Sequence, residues 1–332
     1  MPTRDMVIHP REHDLVIGTF GRSAYVMDDI RPLRKLAKEG KDLLEKPLAL
    51  FEPPTAYQVV SQQPAGLRFG ANATFNGENR SSNAMISYLV NKPEQKEEKE
   101  DEKKDEEKEE DKIKYDSLQL QVYNMDGELI RTLKEKAPEK NGVHRMYWRM
   151  DEAGARGPSR SKTKEDAPEP GGVDVLPGDY KLIISFGEHK DSTQITVKFD
   201  PRYDLSEDVL QARYDFLKSI EGMQTVAHEA SQRILEAKAT ADHYINWMKE
   251  KDEKGFEEQI KKSKAIKDSL EVLFEPFVGE DFSEKQGIIR TPIPDIGDRI
   301  GNAYYYAAAK FDKPGNTRTT EKTSRGSTST CS

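Results

Sequence analysis

A multidomain chain, all-β and then all-α, is the fold class this sequence predicts, on three observations. Between Leu118 and Arg202, apolar residues alternate with polar ones, and Asp126-Gly127, Pro177-Gly178 and Gly187-Glu188 punctuate the alternation, as in antiparallel hairpins of a β-sandwich. Beyond Asp200-Pro201-Arg202 the apolar period moves from about 2 toward about 3.6, the signature of amphipathic helices. The 332 residues are enough for two domains at roughly 100–200 residues each.

Taken in order, the chain opens with Met6-Val7-Ile8-His9-Pro10 and then Asp14 to Ile30, which read as strands around glycine turns. A hairpin alone is marginal in water, so residues 1–32 imply a larger sheet structure to which they belong. Leu33, Leu36, Ala37, Leu43 and Leu44 permit a short helix. Leu48 to Glu52 follows and ends at Pro53-Pro54, so 33–68 is expected as a linker with one short helix.

The sandwich is expected over 69–202. Its first strand is Ala84 to Val90, with Ala84, Ile86 and Tyr88 on one face or Met85 and Leu89 on the other. Residues 94–112 then hold 12 acidic residues, 6 lysines and Gln95, a local charge of −6 in a chain of −8, and have no apolar face to bury. They are expected as a charged, disordered insertion. Leu118, Leu120, Val122 and Tyr123 lead into the Asp126-Gly127 turn, and Leu129, Ile130 and Leu133 resume the pattern. Val143 to Met150 carries Trp148, and Asp151 to Gly172 is rich in Gly, Pro, Ser and charge, so 151–172 is expected as a mobile loop. Lys181 to Phe186 and Gln194 to Phe199 complete the strands.

Over 203–312 a helical bundle is expected. Ser206 is placed to cap a long first helix whose stripe runs Leu210, Tyr214, Leu217, Ile220, Met223, Ala227, Ala230, Ile234, Ala237, Ala241, Ile245 and Met248. A second helix, with Phe256, Ile260, Ile266, Leu270 and Phe274 inward, is expected to stop at Pro276 and to fold back as an antiparallel hairpin. A third is capped by Asp295 and carries Ile296, Ile300, Ala303, Tyr304, Ala307 and Phe311. The tail 313–332 lacks an apolar stripe and is expected to be disordered.

Composition narrows the function classes. Outside the acidic run the charge is −2, with cations scattered among carboxylates, so no broad basic surface for nucleic acid is expected. Cys331 is the single cysteine, which excludes an internal disulfide framework and a thiolate metal cluster. No apolar run reaches the roughly 18 residues of a membrane span, and Met1-Pro2-Thr3-Arg4-Asp5 lacks the apolar stretch of a signal peptide. The location of the chain as written is therefore unknown.

Two resemblances add to this reading. The run Gly-Thr-Phe-Gly-Arg-Ser-Ala-Tyr-Val-Met-Asp-Asp-Ile-Arg-Pro-Leu, from Gly18 to Leu33, resembles the closing blade of sortilin-like, BNR-repeat β-propeller proteins, which are often labelled glycosyl hydrolases. Val122-Tyr123 with Gly127 and Arg131, Gly142-Val143-His144 with Trp148, and Pro177-Gly178-Asp179-Tyr180 resemble the immunoglobulin-like domain of flagellar hook-capping proteins and C-terminal sorting modules. The resemblances imply a residual last propeller blade at 1–32, an immunoglobulin-like β-sandwich and a C-terminal antiparallel helical bundle. Met1 would fall inside that last blade, as in a truncated gene or a piece of a longer one. They imply a secreted or periplasmic parent whose N-terminal propeller is this piece's partner, with glycan or cell-envelope protein as ligand. The implied role is a non-catalytic accessory scaffold. The alternatives are part of a glycosyl hydrolase whose catalytic residues lie mainly in that propeller, and an adhesion or sorting module.

No residue is assigned a catalytic, cofactor-binding or metal-ligating role. The Ser-x-Asp-x-Gly-x-x-Trp turns of BNR sialidases do not occur here. Asp28 and Asp29 are adjacent, so on a strand they point to opposite faces and cannot flank one glycosidic bond; they read as caps. His9 and His13 are separated by Pro10, which removes a shared helix face. His144 reads as a hydrogen-bonding residue at a sandwich edge, and Trp148 as a core aromatic rather than a sugar platform. His228 and His243 lie more than three turns apart on one helix, too far to share an ion, and both read as surface residues. Tyr304-Tyr305-Tyr306 fan over about 200° of a helix, so one or two at most face one partner. The acidic run lacks the turn glycine and alternating ligands of a calcium loop.

Overall fold

Alternation in the sequence becomes sheet wherever a neighbouring strand covers one face. The computed structural model describes residues 2–21, 23–60, 78, 80–92, 115–164, 166–279 and 294–309. The charged run 94–112, most of 61–79, Phe311 and the tail 313–332 lie outside the described residues. Two compact units form: Met1–Glu152 with Asp174–Asp204, and Ala153–Val173 with Leu205–Ser332.

The first unit begins with β1 (Thr3–Ile8), β2 (Leu15–Thr19) and β3 (Ala24–Met27), an antiparallel three-stranded sheet in the order β1-β2-β3. Helix α1 (Arg31–Glu39) has Pro32 in its first turn, where no amide donor is missed, and stops at Gly40, whose φ of 63° suits glycine. The short α2 (Lys41–Leu44) follows. Residues expected as linker then enter the sheets: β4 (Leu48–Leu50) pairs antiparallel with β6 (Ala84–Val90), and β5 (Ala56–Gln58) pairs parallel with β13 (His189–Phe199). The paired sheets therefore begin before residue 69.

The remaining strands are β7 (Ser117–Tyr123), β8 (Leu129–Lys136), β9 (Gly142–Trp148), β10 (Asp151–Ala153), β11 (Gly171–Asp174) and β12 (Gly178–Phe186). They build a five-stranded sheet, β5-β13-β12-β7-β8, a three-stranded sheet, β4-β6-β9, and a β10-β11 pair. One core joins the two larger sheets: Leu48, Ile86, Tyr88, Met146 and Trp148 from one meet Leu118, Leu120, Val122, Leu182, Ile184 and Phe186 from the other. The expected hairpin turns are present, with Gly127 at φ 84° and Gly187 at φ 57°. Every residue of β6 is buried, because its second face is covered as well: Leu89 packs with Leu43, Ala49 and Phe51, and with Leu36 of α1. Both faces expected for this strand are thus core faces.

In the second unit α3 (Glu207–Asp252) runs 46 residues, about 69 Å at 1.5 Å per residue. Ser206 sits at its N-cap without a capping side-chain bond and instead turns its hydroxyl to Asp208. α4 (Glu257–Val278) returns alongside it: Lys238 pairs with Glu271, and Asp242 with Lys267 at 2.6 Å, so numbers rise on one helix as they fall on the other. Ile245, Met248 and Ile260 form the core of this hairpin, while Ile266, expected inward, is exposed. Pro276 does not stop α4, which continues to Val278 and ends at Gly279, φ 73°. A proline in the last turn forfeits one backbone bond, and the extra residues let Phe277 pack with Ile220 and Ile296. α5 (Ile296–Ala308) is capped as expected, Asp295 accepting from the Asp298 amide at 2.7 Å, and buries Ile296, Ile300 and Ala303 against α3.

Residues 153–173 correct the expected domain map. They belong with the helices rather than within a sandwich spanning 69–202. The Thr163 amide donates to Gln232 Oε1 at 3.0 Å, and Gln232 Nε2 donates to the Ser161 carbonyl at 3.2 Å. Arg160 donates to the Val278 and Gly279 carbonyls, and the Val173 amide donates to the buried Glu221 carboxylate at 3.0 Å. Backbone groups that an exposed loop would leave to water are bonded to side chains of α3, so the segment lies along the helix as a strap.

Candidate functional site

A recess of the first unit, about 520 Å³, gathers three distant stretches of chain: Arg11 and Glu12, residues 80–85, and Asp200-Pro201-Arg202. Its floor and walls include Tyr57 and Met85. The three arginines make it look like an anion site, but their charges are matched. Arg11 Nε meets Glu12 Oε1 at 2.7 Å, and Arg80 lies 3.4 Å from Glu12 and 3.5 Å from Asp14. Arg202 donates through Nε to both oxygens of the buried Asp200, and its Nη2 reaches the Val60 carbonyl at 3.0 Å. Three guanidinium groups thus face three carboxylates. The cluster fastens segments to one another; with its charges matched it lacks a positive field for a ligand, and among the described residues no nucleophile is bonded to a base there.

Asp200 is the strongest anchor in it. It accepts from the Arg202 side chain, from the Arg202 amide at 3.0 Å and from the Val60 amide at 3.0 Å, and these bonds hold its carboxyl well below the usual carboxylate range. A depressed native pKa stabilises the fold above the ordinary aspartate value of about 3.9, and that contribution is lost as pH falls from there toward the native value. Asp200→Asn is therefore expected to lower the melting temperature at pH 7, and the gap from wild type is expected to close as the pH is taken below about 4. A thermal melt series across pH checks this; a gap that stays constant into acid would show that the carboxylate's charge is not what anchors the segment.

The side chains singled out in the sequence have structural partners. Asp29 is buried with φ 46°; its Oδ1 accepts from Arg31 Nε at 2.5 Å, and its amide donates to Asp14 Oδ1 at 2.9 Å. The carbonyls of Asp28 and Asp29 both accept from Arg145 of β9. These contacts tie the end of the first sheet to β9, and none presents a pair of carboxylates to a substrate. His9 Nδ1 accepts from the Glu12 amide at 3.0 Å, while His13 (φ 58°) contacts Arg34, so the two imidazoles are separately engaged. His144 Nε2 bonds the Lys140 carbonyl at 2.8 Å on the edge strand β9.

His228 is not a free surface residue. It is half-buried, with Nδ1 on the Gly157 carbonyl at 2.8 Å and Nε2 beside Thr163 Oγ1 at 3.3 Å, so it pins the strap. His243 is exposed. Trp148 is fully buried, its ring edge-on to Tyr180 at 5.6 Å and its indole donating to the Asp151 carbonyl at 2.8 Å. Of the tyrosine triplet, Tyr304 packs inward while Tyr305 and Tyr306 are exposed. Among the described residues no group of three or more His, Cys, Asp or Glu side chains is placed to hold a metal ion. No described helix is long and apolar enough to cross a membrane.

A surface to which the sequence points only indirectly is the β1-β2-β3 sheet. Met6 is 61% exposed and its neighbour Val7 58%; Tyr25 is 57% and its neighbour Val26 60%. Adjacent strand residues point to opposite faces, so apolar side chains stand uncovered on both sides of this sheet. Phe20 at its turn is 67% exposed, with Arg4 stacked over the ring.

No family model matches the chain, and no curated protein matches it. Among solved structures, the dimeric latent PorU of Porphyromonas gingivalis aligns over 56% of this chain with a TM-score of 0.21 and 11% identity. The chain spans 12% of that protein's length, and similarity at this level leaves fold and activity to be read from the residues themselves.

Proposed function

We propose that this chain is a non-catalytic accessory scaffold of a secreted propeller protein, and that β1-β2-β3 is its docking element, three strands of a blade closed by a propeller partner. One observation carries the reading: Met6, Val7, Tyr25 and Val26 leave both faces of the small sheet apolar and open, whereas the neighbouring two-sheet core is closed. Propeller blades are four-stranded and are covered on both faces by neighbouring blades, which is the covering this sheet lacks. The accessory module is read as an immunoglobulin-like sandwich. In support, the Tyr180 hydroxyl donates to the Leu176 carbonyl at 2.6 Å, four residues upstream, beside the buried Trp148, in the manner of a tyrosine corner. Engagement of Asp29 with Arg31 and Asp14 supports a structural rather than hydrolytic role for the Asp28-Asp29 pair.

Hydrogen exchange tests this reading. In the 332-residue chain alone, amides of β1 to β3 are expected to exchange far faster than those of β7 and β12. Adding a separately produced sortilin-like propeller lacking its last blade is expected to slow them. Full protection of β1 to β3 in the monomeric chain, or no change with the propeller, would rule out the docking role. Turnover of any glycoside by the chain alone, lost on Asp28→Ala, would rule out the non-catalytic one.

A further inference from the structure

On the outer face of the five-stranded sheet, a second recess of about 450 Å³ lies against the Asp126-Gly127 hairpin. Its volume is within the roughly 300–1,000 Å³ of small-molecule sites. It is lined by Tyr123 and the turn residues Asn124, Met125 and Gly127, by Lys181 and Ile183 of β12, and by Gln194 of β13. Strand register puts its centre in one row: Lys181 pairs with Tyr123 on one side and with Gln194 on the other. The next row along the same face is Ser192, Ile183, Gln121 and Thr132, again uncharged.

The chemistry of this lining is unusual for the chain. Charged residues make up 34% of the sequence, yet the recess has no carboxylate and a single ammonium. The Asn124 side chain is committed to Glu128, donating to Oε2 and accepting from the amide, both at 2.9 Å. Those two bonds fix the turn that borders the recess. Among the described residues the side chains of Gln194 and Lys181 make no hydrogen bond or ion pair, although they stand beside each other on neighbouring strands. The recess therefore offers a half-buried phenol ring, two apolar side chains (Ile183 and Met125), and an amide and an ammonium with unused hydrogen-bonding capacity.

A ligand complementary to this set is uncharged, has an apolar face to lie on a tyrosine ring and carries hydroxyls at its edge. We infer that the recess is a binding subsite for one pyranose ring of a neutral glycan, Tyr123 stacking on the C–H face and Gln194 and Lys181 bonding the ring hydroxyls. An anionic ligand would meet only one cation, and a purely apolar one would leave Lys181 and Gln194 desolvated without partners. The subsite belongs to the sheets themselves and does not depend on the docking role of β1-β2-β3.

Ligand-observed NMR and calorimetry on the 332-residue chain, with maltohexaose, cellohexaose and xylohexaose as probes and no propeller present, test it. At least one probe is expected to bind and to shift Tyr123 resonances. Tyr123→Ala is expected to weaken binding about tenfold, the scale of one aromatic stack. Gln194→Ala, at an exposed position where folding is not at risk, is expected to weaken it severalfold. Lys134→Ala, on the same sheet but outside the recess, is expected to leave it unchanged. Failure of all three probes to bind, or affinity retained in the Tyr123→Ala/Gln194→Ala double variant, would overturn the assignment.

Discussion

Trp148→Ala is expected to lower the stability of the two-sheet core by about 3–5 kcal/mol, the range for truncating a large buried aromatic. Trp148 is fully buried where the two sheets share their core, so the neighbouring side chains cannot collapse into the space without moving strands. The loss has a polar part too. The indole donates to the Asp151 carbonyl at 2.8 Å, and Tyr180 loses its edge-on partner at 5.6 Å. Burial, reinforced by the charge of Glu152, already pushes the Tyr180 hydroxyl up to about 12, so the surroundings disfavour new charge or water. Trp148→Phe keeps a large aromatic ring, removes the donor and leaves a smaller void than alanine does, and is expected to cost about 1–3 kcal/mol. Urea titrations followed by far-ultraviolet circular dichroism compare the three proteins. Trp247, the other tryptophan, lies on α3 and provides a separate fluorescence signal for the helical unit. Equal midpoints for Trp148→Ala and Trp148→Phe would show that the lost indole hydrogen bond, rather than the cavity, accounts for the destabilisation.

The same residue shows how much of this molecule its sequence discloses. Trp148 is recognisable as core because it lies on an alternating strand whose inward neighbour, Met146, is two residues away. The hairpins from Ser117 to Lys136 and from Gly178 to Phe199 are local objects: their pairings join residues close in sequence, so turn chemistry and alternation suffice to place them. β4 and β5 are not local. Each has three residues, too few for a period, and β5 is a strand only because β13, far later in the chain, pairs with it in parallel from Ala56↔Val197 onward. The strap is hidden for a related reason. Its backbone is satisfied by Gln232, Glu221 and His228, side chains that an amphipathic reading of α3 assigns to solvent because they are polar. Of the candidate surfaces, the Arg11/Arg80/Arg202 cluster and the Tyr123 recess exist only once distant stretches meet, while the open apolar faces of β1 to β3 were implied by strands too few to stand alone.

The strap also contains the position where adding a single methyl group is expected to matter most. Gly154 has an ordinary φ, so its glycine is not required by backbone conformation; it is required by space. A Cβ there would stand 2.2 Å from the Gly171 carbonyl oxygen and 2.6 Å from its carbon and from Gly172 Cα. Carbon atoms in contact sit at about 3.5–4.0 Å, and all three obstacles are backbone, so no rotamer change relieves the clash. Gly154→Ala must push the two strands of the strap apart, breaking the bond from the Gly154 amide to the Pro170 carbonyl at 3.0 Å. Overpacking of this kind costs about 1–3 kcal/mol, here at the upper end because the opposing atoms cannot swing away. The displacement is carried to Val173, whose amide bond to Glu221 would lengthen and leave a buried carboxylate with Lys218 but without the strap. Hydrogen exchange is expected to accelerate at Val173 and Thr163 while the Ile245, Met248 and Ile260 cluster keeps its protection. Gly157→Ala provides the contrast, since its Cβ would meet only the flexible Gln224 side chain at 3.4 Å, and it is expected to shift stability by no more than about 0.5 kcal/mol. If the two variants melt alike, the close approach of Gly154 to Gly171 is not what fixes the strap, and the bonds of Gln232 and His228 hold it unaided.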